Sequence, residues 1–447
     1  MSKSGMIEQE RYTCAIGALQ TVVAIPRTVP ILHSGPGCGE MIAGFFERSK
    51  GYAGGSTAPC TNFTEKEVVF GGINRLREII KNTYKVLDTD LQVVLTGCTA
   101  GIVGDDVDSL VAEFAEEGKP IVSVETAGFK SSNFEAHSLV VNAIIDQYVS
   151  RFEDEIEVKS EKNTVNLLAS IPYQDPFWKG NLAEYKRLLA GLGLKANILF
   201  GPYSGGVYEW RSIPKAGFNI LISPWYGKPV ADHLKFKYGQ EYTWFHHIPI
   251  GANETEAFLN QVLEFAILQG ARIDEAAARA FIKKESEAYY EEIDNLATFL
   301  LEFRYGLPNH VHILHDAGYV VALSKFLLHE VGIVPKEQFI TDGTPEKFHE
   351  QIRTDVKNIS DKREIPLYFE PDAGCAHQIL RGIQHKGRGL IIGSGWDKEL
   401  AKEKGYDFLS AAIPSPYRLI MTTNYAGFSG GLRVIEDIYH MVLSTYA

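Results

Sequence analysis

Short apolar runs alternate with longer amphipathic ones along the chain, which is the pattern of βαβ units built around parallel sheets. In the first third, Val29 to His33, Leu91 to Leu95 and Pro120 to Val124 read as buried strands, with an amphipathic helix over Glu65 to Lys81. Thr64-Glu-Lys-Glu67 opens that helix as a capping box, in which the Thr hydroxyl and the Glu carboxylate satisfy amides that the first turn leaves unpaired. In the middle third, Thr164 to Ser170, Ala196 to Phe200 and Asn219 to Ser223 are predicted strands. Gly180 to Ala190 and Thr255 to Gln269 are predicted helices, and Ala271 to Arg304, rich in Ala, Glu and Lys, is a long helical stretch bridging two domains. The last third starts the pattern again with a strand at His310 to Leu314 and a helix at Ala317 to Glu330. Strands near Gln338 to Thr341, Pro366 to Glu370 and Gly389 to Ile392 follow, and a helix over Gly430 to Ser444 closes the chain. The expected fold is α/β: three Rossmann-like domains with mainly parallel four- to five-stranded sheets flanked by helices. The charged run Arg151 to Asn163 marks the first boundary, giving domains over 1–155, 156–270 and 271–447.

A length of 447 residues agrees with three domains, at roughly 150 residues each. Hydrophobic residues at 45% and charged residues at 22% are ordinary for a protein with sizeable cores. Lys and Arg total 44 against 56 Asp and Glu, a formal net charge of −12, so a nucleic-acid backbone is excluded as the main partner. No apolar run approaches the about 18 residues needed to span a membrane, and residues 1–10 have no apolar core of a signal peptide. The five cysteines are too few and too odd in number for a disulfide framework, which points to a reducing cytoplasm.

Cys38 lies in His33-Ser-Gly-Pro-Gly-Cys-Gly39, after a strand and before a helix expected around Glu40. Cys98 lies in Thr96-Gly-Cys-Thr-Ala-Gly101, again after a strand and before a helix expected over Val107 to Glu117. Both sit where a parallel sheet binds ligands, at the carboxyl ends of strands. Both also sit near helix N-termini, whose positive dipole end favours thiolate. Cys14 opens a further apolar helix, Ala15 to Ile25, stopped by Pro26. Gly35, Gly37, Gly39, Gly97 and Gly101 let backbone approach a bulky ligand, and Gly37 and Gly97 are the candidate contacts. A free cysteine is often only a small buried hydrophobe, and that reading stands beside the ligand one. The spacings exclude a zinc knuckle or a ferredoxin-type run, leaving a cluster or metal held by three separate loops.

At these residues the chain resembles the nitrogenase component 1 superfamily of iron–sulfur reductases. The motifs are Cys14 before its helix, His33-Ser-Gly-Pro-Gly-Cys38, Thr64-Glu-Lys-Glu-Val-Val-Phe-Gly-Gly72 and Thr96-Gly-Cys-Thr-Ala-Gly-Ile-Val-Gly-Asp-Asp106. The resemblance extends more weakly to Ile413-Pro-Ser-Pro-Tyr417 and Asn424-Tyr-Ala-Gly-Phe-Ser-Gly-Gly431. It implies that Cys14, Cys38 and Cys98 hold half of an [8Fe-7S] P-type cluster shared with an α-type subunit. It also implies an α2β2 assembly served by an ATP-hydrolysing iron protein. Residues 164–305 contain no cysteine, and Thr423-Asn-Tyr-Ala-Gly-Phe428 lacks the histidine of α chains, so the chain resembles the β type. It departs from molybdenum nitrogenase β chains in having no long N-terminal extension and in placing Gly128 where they carry a serine. The expected function is therefore a β-type subunit relaying electrons in a nitrogenase-like reductase, with methylthio-alkane reduction favoured. A vanadium or iron-only nitrogenase, a non-catalytic cofactor-assembly scaffold, and a dehydrogenase-like small-molecule binder with merely buried cysteines are the alternatives.

Other signals have structural readings. No Gly-x-x-x-x-Gly-Lys-Ser/Thr motif occurs, so any ATP is hydrolysed by another protein. Gly191-Leu-Gly193 reads as a helix C-cap, and Gly393-Ser-Gly395 is a short, weak nucleotide signal. Cys60 is expected to be a buried structural thiol and Cys375-Ala-His377 local packing at a helix start. His246-His247 are expected to be satisfied core histidines, and Asp105-Asp106 to cap the following helix.

Overall fold

The computed structural model describes residues 14–41, 58–153, 161–303 and 306–444. Its strands gather into three sheets, and every strand pair is parallel. The first sheet holds β1 (Thr28–His33), β2 (Leu91–Thr96) and β3 (Ile121–Glu125) in that order. The second holds β4 (Glu161–Leu168), β5 (Lys195–Asn197), β6 (Ala216–Ile222) and β7 (Tyr242–Phe245), ordered β5-β4-β6-β7. The third is built from β8 (His310–His315), β9 (Val334–Pro335), β10 (Gln338–Ile340), β11 (Leu367–Phe369), β12 (Gly389–Gly393) and β13 (Asp407–Ser410). Its order is β11-β10-β8-β12-β13, the doubly wound arrangement with the first strand central. The near-continuous burial of β2, β6 and β8 fits strands covered on both faces, and it takes in the polar Gln92, Asn219, His310, His312 and His315 as well as the apolar residues.

Four to five strands per sheet were expected, and the described residues give three, four and six. The sixth arises because β9 and β10 share one edge of β8, β9 pairing at His310-Val311 and β10 at Leu314-His315. Pro335 cannot donate to a ladder, and one strand position is split into two short strands there. The first boundary expected from the sequence falls in 154–160, outside the described residues. Among the described residues, no helix is long and apolar enough to cross a membrane.

The expected helix over Glu65 to Lys81 is two helices, Glu65–Phe70 and Ile73–Val86. Gly71 takes φ +84°, and a Cβ on Gly72 would lie 2.4 Å from the Phe63 ring, so this turn needs both glycines. The capping box at Thr64 and Glu67 is present. The strand expected over Ala196 to Phe200 stops at Asn197 because the Glu209 carboxylate takes the Ile198 N–H at 2.9 Å. The long helix runs from Glu275 to Phe303, and the last from Gly427 to Ser444. The expected helix at Ala317 is α-helical to Phe326 and finishes as a π turn over Leu327–Val331.

Candidate functional site

The carboxyl ends of β1, β2 and β3 each feed a loop into the same place. After β1, Ser34-Gly35 leads into a helical segment over 36–41, which carries Cys38 in its first turn. After β2, Gly97 is the N-cap of the helix Cys98–Val103, an element not expected from the sequence, and Cys98 is its first residue. After β3 come Thr126, Ala127 and Gly128. Cys14 enters from outside the sheet and is tied to the β3 loop by an isolated antiparallel bridge to Ser132.

Gly128 is the point where two thiols meet. Its N–H donates to Cys98 Sγ at 3.1 Å. A Cβ built on it would lie 2.5 Å from Cys14 Sγ and 3.5 Å from Cys98 Sγ. Cys38 is connected through Ser34, whose Oγ donates to Cys38 Sγ at 3.4 Å. The same Ser34 fills the space beside Gly97, where a Cβ would come 2.3 Å from Oγ, so the missing Cβ of Gly97 serves the packing of its turn. Gly37 differs, because nothing lies within 4 Å of where its Cβ would be. Cys14, Cys38 and Cys98 are all free, half-buried thiols.

Behind the thiols, Asp105 accepts His33 Nε2–H at 2.9 Å and the Gly72 N–H at 2.9 and 3.1 Å. Burial pushes the His33 pKa below its ordinary value, so its ring is neutral. Asp106 alone caps the next helix, accepting from Ser109 N–H, whereas capping by Asp105 was expected as well. The inward role of Asp105 left no periodic signal, because its partners are 72 and 33 residues away. Cys60 lies beside the same β1 loop, with Sγ 3.4 Å from Ser34 O and accepting Asn62 N–H. Burial first, and then the neighbouring Cys38, push its thiol pKa up, which keeps it protonated. Cys375 sits elsewhere, on the helix Ala373–Arg381 beside the third sheet.

The rim of the site is apolar and exposed. No residue of the helix Glu65–Phe70 is buried, and it packs on the helix Cys98–Val103. Phe70 is 82% and Ile102 75% exposed, and Met41, Val68, Val69 and Phe129 are exposed with them.

The remaining signals resolve locally. Asp397 fills the space beside Gly393 and closes a capping box with Ser394, leaving no cradle for a phosphate. Gly191 ends a helix and packs on Phe281, while Gly193 takes φ +82°. His247 hydrogen-bonds Glu254 at 2.5 Å, and His246 lies 3.3 Å from Asp355.

Comparison with known proteins agrees in fold and sequence. The family described as nitrogenase component 1 type oxidoreductase matches residues 13–443. The chain is 23% identical to the nitrogenase molybdenum-iron protein beta chain of Clostridium pasteurianum, with 96% of this chain and 92% of that one covered. It is 24% identical to the corresponding beta chain of Methanococcus maripaludis, covering 100% and 98%. A shorter similarity, 26% identity over 41% of this chain and 36% of the relative, is to one of the subunits of the light-independent protochlorophyllide reductase of Gloeobacter violaceus. Among solved structures, nitrogenase Cp1 at pH 6.5 superposes with a TM-score of 0.77 at 20% identity, covering 100% of this chain and 95% of that one.

Proposed function

The chain belongs to the nitrogenase component 1 type oxidoreductase family, and from that premise we propose that it is the β-type subunit of a nitrogenase-like reductase. In this reading Cys14, Cys38 and Cys98 hold one half of a P-type [8Fe-7S] cluster. An α-type subunit supplies the other half and carries the substrate cofactor in an α2β2 assembly, and an ATP-hydrolysing iron protein delivers the electrons. The domains are those over 1–155, 156–270 and 271–447, and the setting is a reducing cytoplasm.

The observation that carries the proposal is the convergence of Cys14 and Cys98 on Gly128, whose N–H is donated to the Cys98 sulfur. Three soft sulfur donors arriving from three loops fit an iron–sulfur group better than a hard cation. When bound, such a cluster supplies one-electron transfer. The chain's own residues do the positioning. The Gly128 N–H donates to the Cys98 sulfur, the Ser34 hydroxyl donates to the Cys38 sulfur, and the His33–Asp105 pair ties the β1 loop to Gly72. Three thiolates leave such a cluster's shell incomplete, and the apolar rim around Phe70 and Ile102 is the surface on which the partner's half would seat. The proposed substrate is a methylthio-alkane; the resemblance puts Gly128 where molybdenum nitrogenase β chains carry a serine, which argues against a molybdenum nitrogenase.

The test is anaerobic co-purification with the α-type partner, followed by iron and sulfide analysis and turnover with iron protein, ATP and dithionite. Iron-rich protein that reduces thioethers, and loses turnover in Cys38→Ala and Cys98→Ala while still assembled, is the expected result. A colourless, iron-free complex overturns the cluster reading. Reduction of dinitrogen instead assigns a vanadium-type or iron-only nitrogenase, and iron without turnover assigns a scaffold.

A further inference from the structure

A second group of ligating side chains lies in the third sheet, at the opposite end from the one where open α/β sheets bind substrate. His310 and His312 project from the same face of β8 at its amino end, two residues apart. Glu337 comes from the connection between β9 and β10, and His385 from the loop before β12. One nitrogen of His312, one of His385 and a carboxylate oxygen of Glu337 all lie within 4.8 Å of one another. Glu337 Oε2 is 2.9 Å from His385 Nε2 and 3.3 Å from His312 Nδ1.

We propose that His312, Glu337 and His385 form a binding site for a divalent first-row transition-metal ion, one preferring nitrogen and oxygen ligands, that clamps three segments of the third sheet. The distances suit it. Ligands about 2.1 Å from a tetrahedral ion lie about 3.4 Å apart, close to the two contacts Glu337 makes. His312 Nδ1, the nitrogen facing Glu337, also lies 3.3 Å from the Glu337 carbonyl oxygen, while its Nε2 and His310 Nε2 are buried with no hydrogen-bond partner. The loop-borne member of the set is held in place from both sides. Lys404 Nζ donates to the carbonyls of Leu380 and Ile383, and Asn309 accepts the Arg388 N–H and donates its own to the Arg388 carbonyl. His385 therefore reaches Glu337 from a loop anchored at 383 and 388. Its side chain is 23% exposed, which gives an ion a way in.

The experiment uses the full chain with Cys14, Cys38 and Cys98 changed to Ala, which removes the competing thiols of the first domain, and Zn2+ alone as the titrant. One equivalent is expected in calorimetry, with a rise in melting temperature. His385→Gln and Glu337→Gln should each weaken binding at least tenfold. Co2+ substitution in the parent chain needs no further variant and should give a d–d spectrum free of thiolate charge transfer. No saturable Zn2+ binding, affinity unchanged by both variants, or a Co2+–thiolate band assigning the ion to Cys60 or Cys375 would each overturn the proposal. Iron loading at Cys14, Cys38 and Cys98 is read separately, so either site can fail alone.

Discussion

At the scale of single residues, a missing side chain does as much as the thiols. Gly128 gives its N–H to Cys98 and leaves no room for a Cβ beside Cys14. In the metal-free chain an added methyl is tolerated, because the Cys14 sulfur is the end of a side chain that can rotate away. With a cluster bound, that rotamer is fixed by ligation. Gly128→Ala should therefore leave the apo melting temperature within about 1–2 °C of the parent while at least halving iron per complex, an effect of less than about 0.5 kcal/mol on folding. Equal iron in both proteins would show that Cys14 does not ligate. A different kind of residue contributes to the acid sensitivity of the domain. His137 is buried, its Nδ1 paired with the Thr21 hydroxyl at 2.8 Å, and burial pushes its pKa down to about 3. The unfolded chain binds a proton there near pH 6.5, the folded chain only near 3. Stability from this group is thus fully present above pH about 6.5 and falls by about 1.4 kcal/mol per pH unit below it. Between pH 7 and 5, His137→Gln should lose about 2 kcal/mol less than the parent in urea unfolding; parallel curves would assign the acid sensitivity elsewhere.

At the scale of elements, the helix Glu65–Phe70 is an anomaly that has a use. Six residues with no buried side chain gain little from resting on the helix Cys98–Val103, and isolated helices this short are unstable in water. What holds it is the capping box at one end and the Gly71-Gly72 turn fastened to Asp105 at the other. Its three consecutive apolar residues, Val68, Val69 and Phe70, then stand exposed beside Ile102. Phe70→Asp removes no buried contact, so the chain's own stability should change by less than about 0.5 kcal/mol. Association with the α-type partner should weaken by tenfold or more, measured by size-exclusion chromatography and calorimetry; undiminished assembly would place the interface elsewhere. The elements themselves were legible where pattern and burial coincide. β2 and β8 are buried along their whole length, and each was expected to within a residue at either end. The misses have local causes that periodicity cannot carry. Glycine geometry broke the helix at 71–72, a side-chain acceptor ended β5, and the first helix after Cys14 is a 3-10 turn over Ala15–Ala18 followed by Leu19–Val23. The thiol loops were legible because strand–Gly–Cys–helix is a short-range pattern. The His33–Asp105 pair and the His312–Glu337–His385 group were not, because each is assembled by sheet topology from distant segments.

At the scale of the whole molecule, the three sheets share one continuous hydrophobic core. Apolar contact alone sets no register between them, and a polar side chain supplies it. Asn181, on the helix Trp178–Gly191 beside the second sheet, uses its full hydrogen-bonding capacity. Its Nδ2 donates to Asp175 Oδ2 at 3.0 Å and to Tyr319 Oη at 2.9 Å, the latter on the helix that follows β8. Its Oδ1 accepts the N–H groups of Tyr425 and Ala426, each at 2.9 Å, just before the last helix. One amide thus joins the second sheet, the third sheet and the C-terminal segment, and Asp175 and Tyr319 close the ring with a bond of 2.8 Å. The Phe177 ring stacks on Tyr425 at 3.7 Å over the same spot, so water has no route to replace a lost partner. Asn181→Leu keeps the volume and strands two buried backbone N–H groups, at about 1–3 kcal/mol each. The expected loss is about 2–6 kcal/mol on that count, and it should appear as a separate early transition, because the C-terminal segment loses its tether before the sheets unfold. A single transition shifted by less than about 1 kcal/mol would show that the apolar core alone holds the segment, and that Asn181 records the arrangement of the sheets without enforcing it.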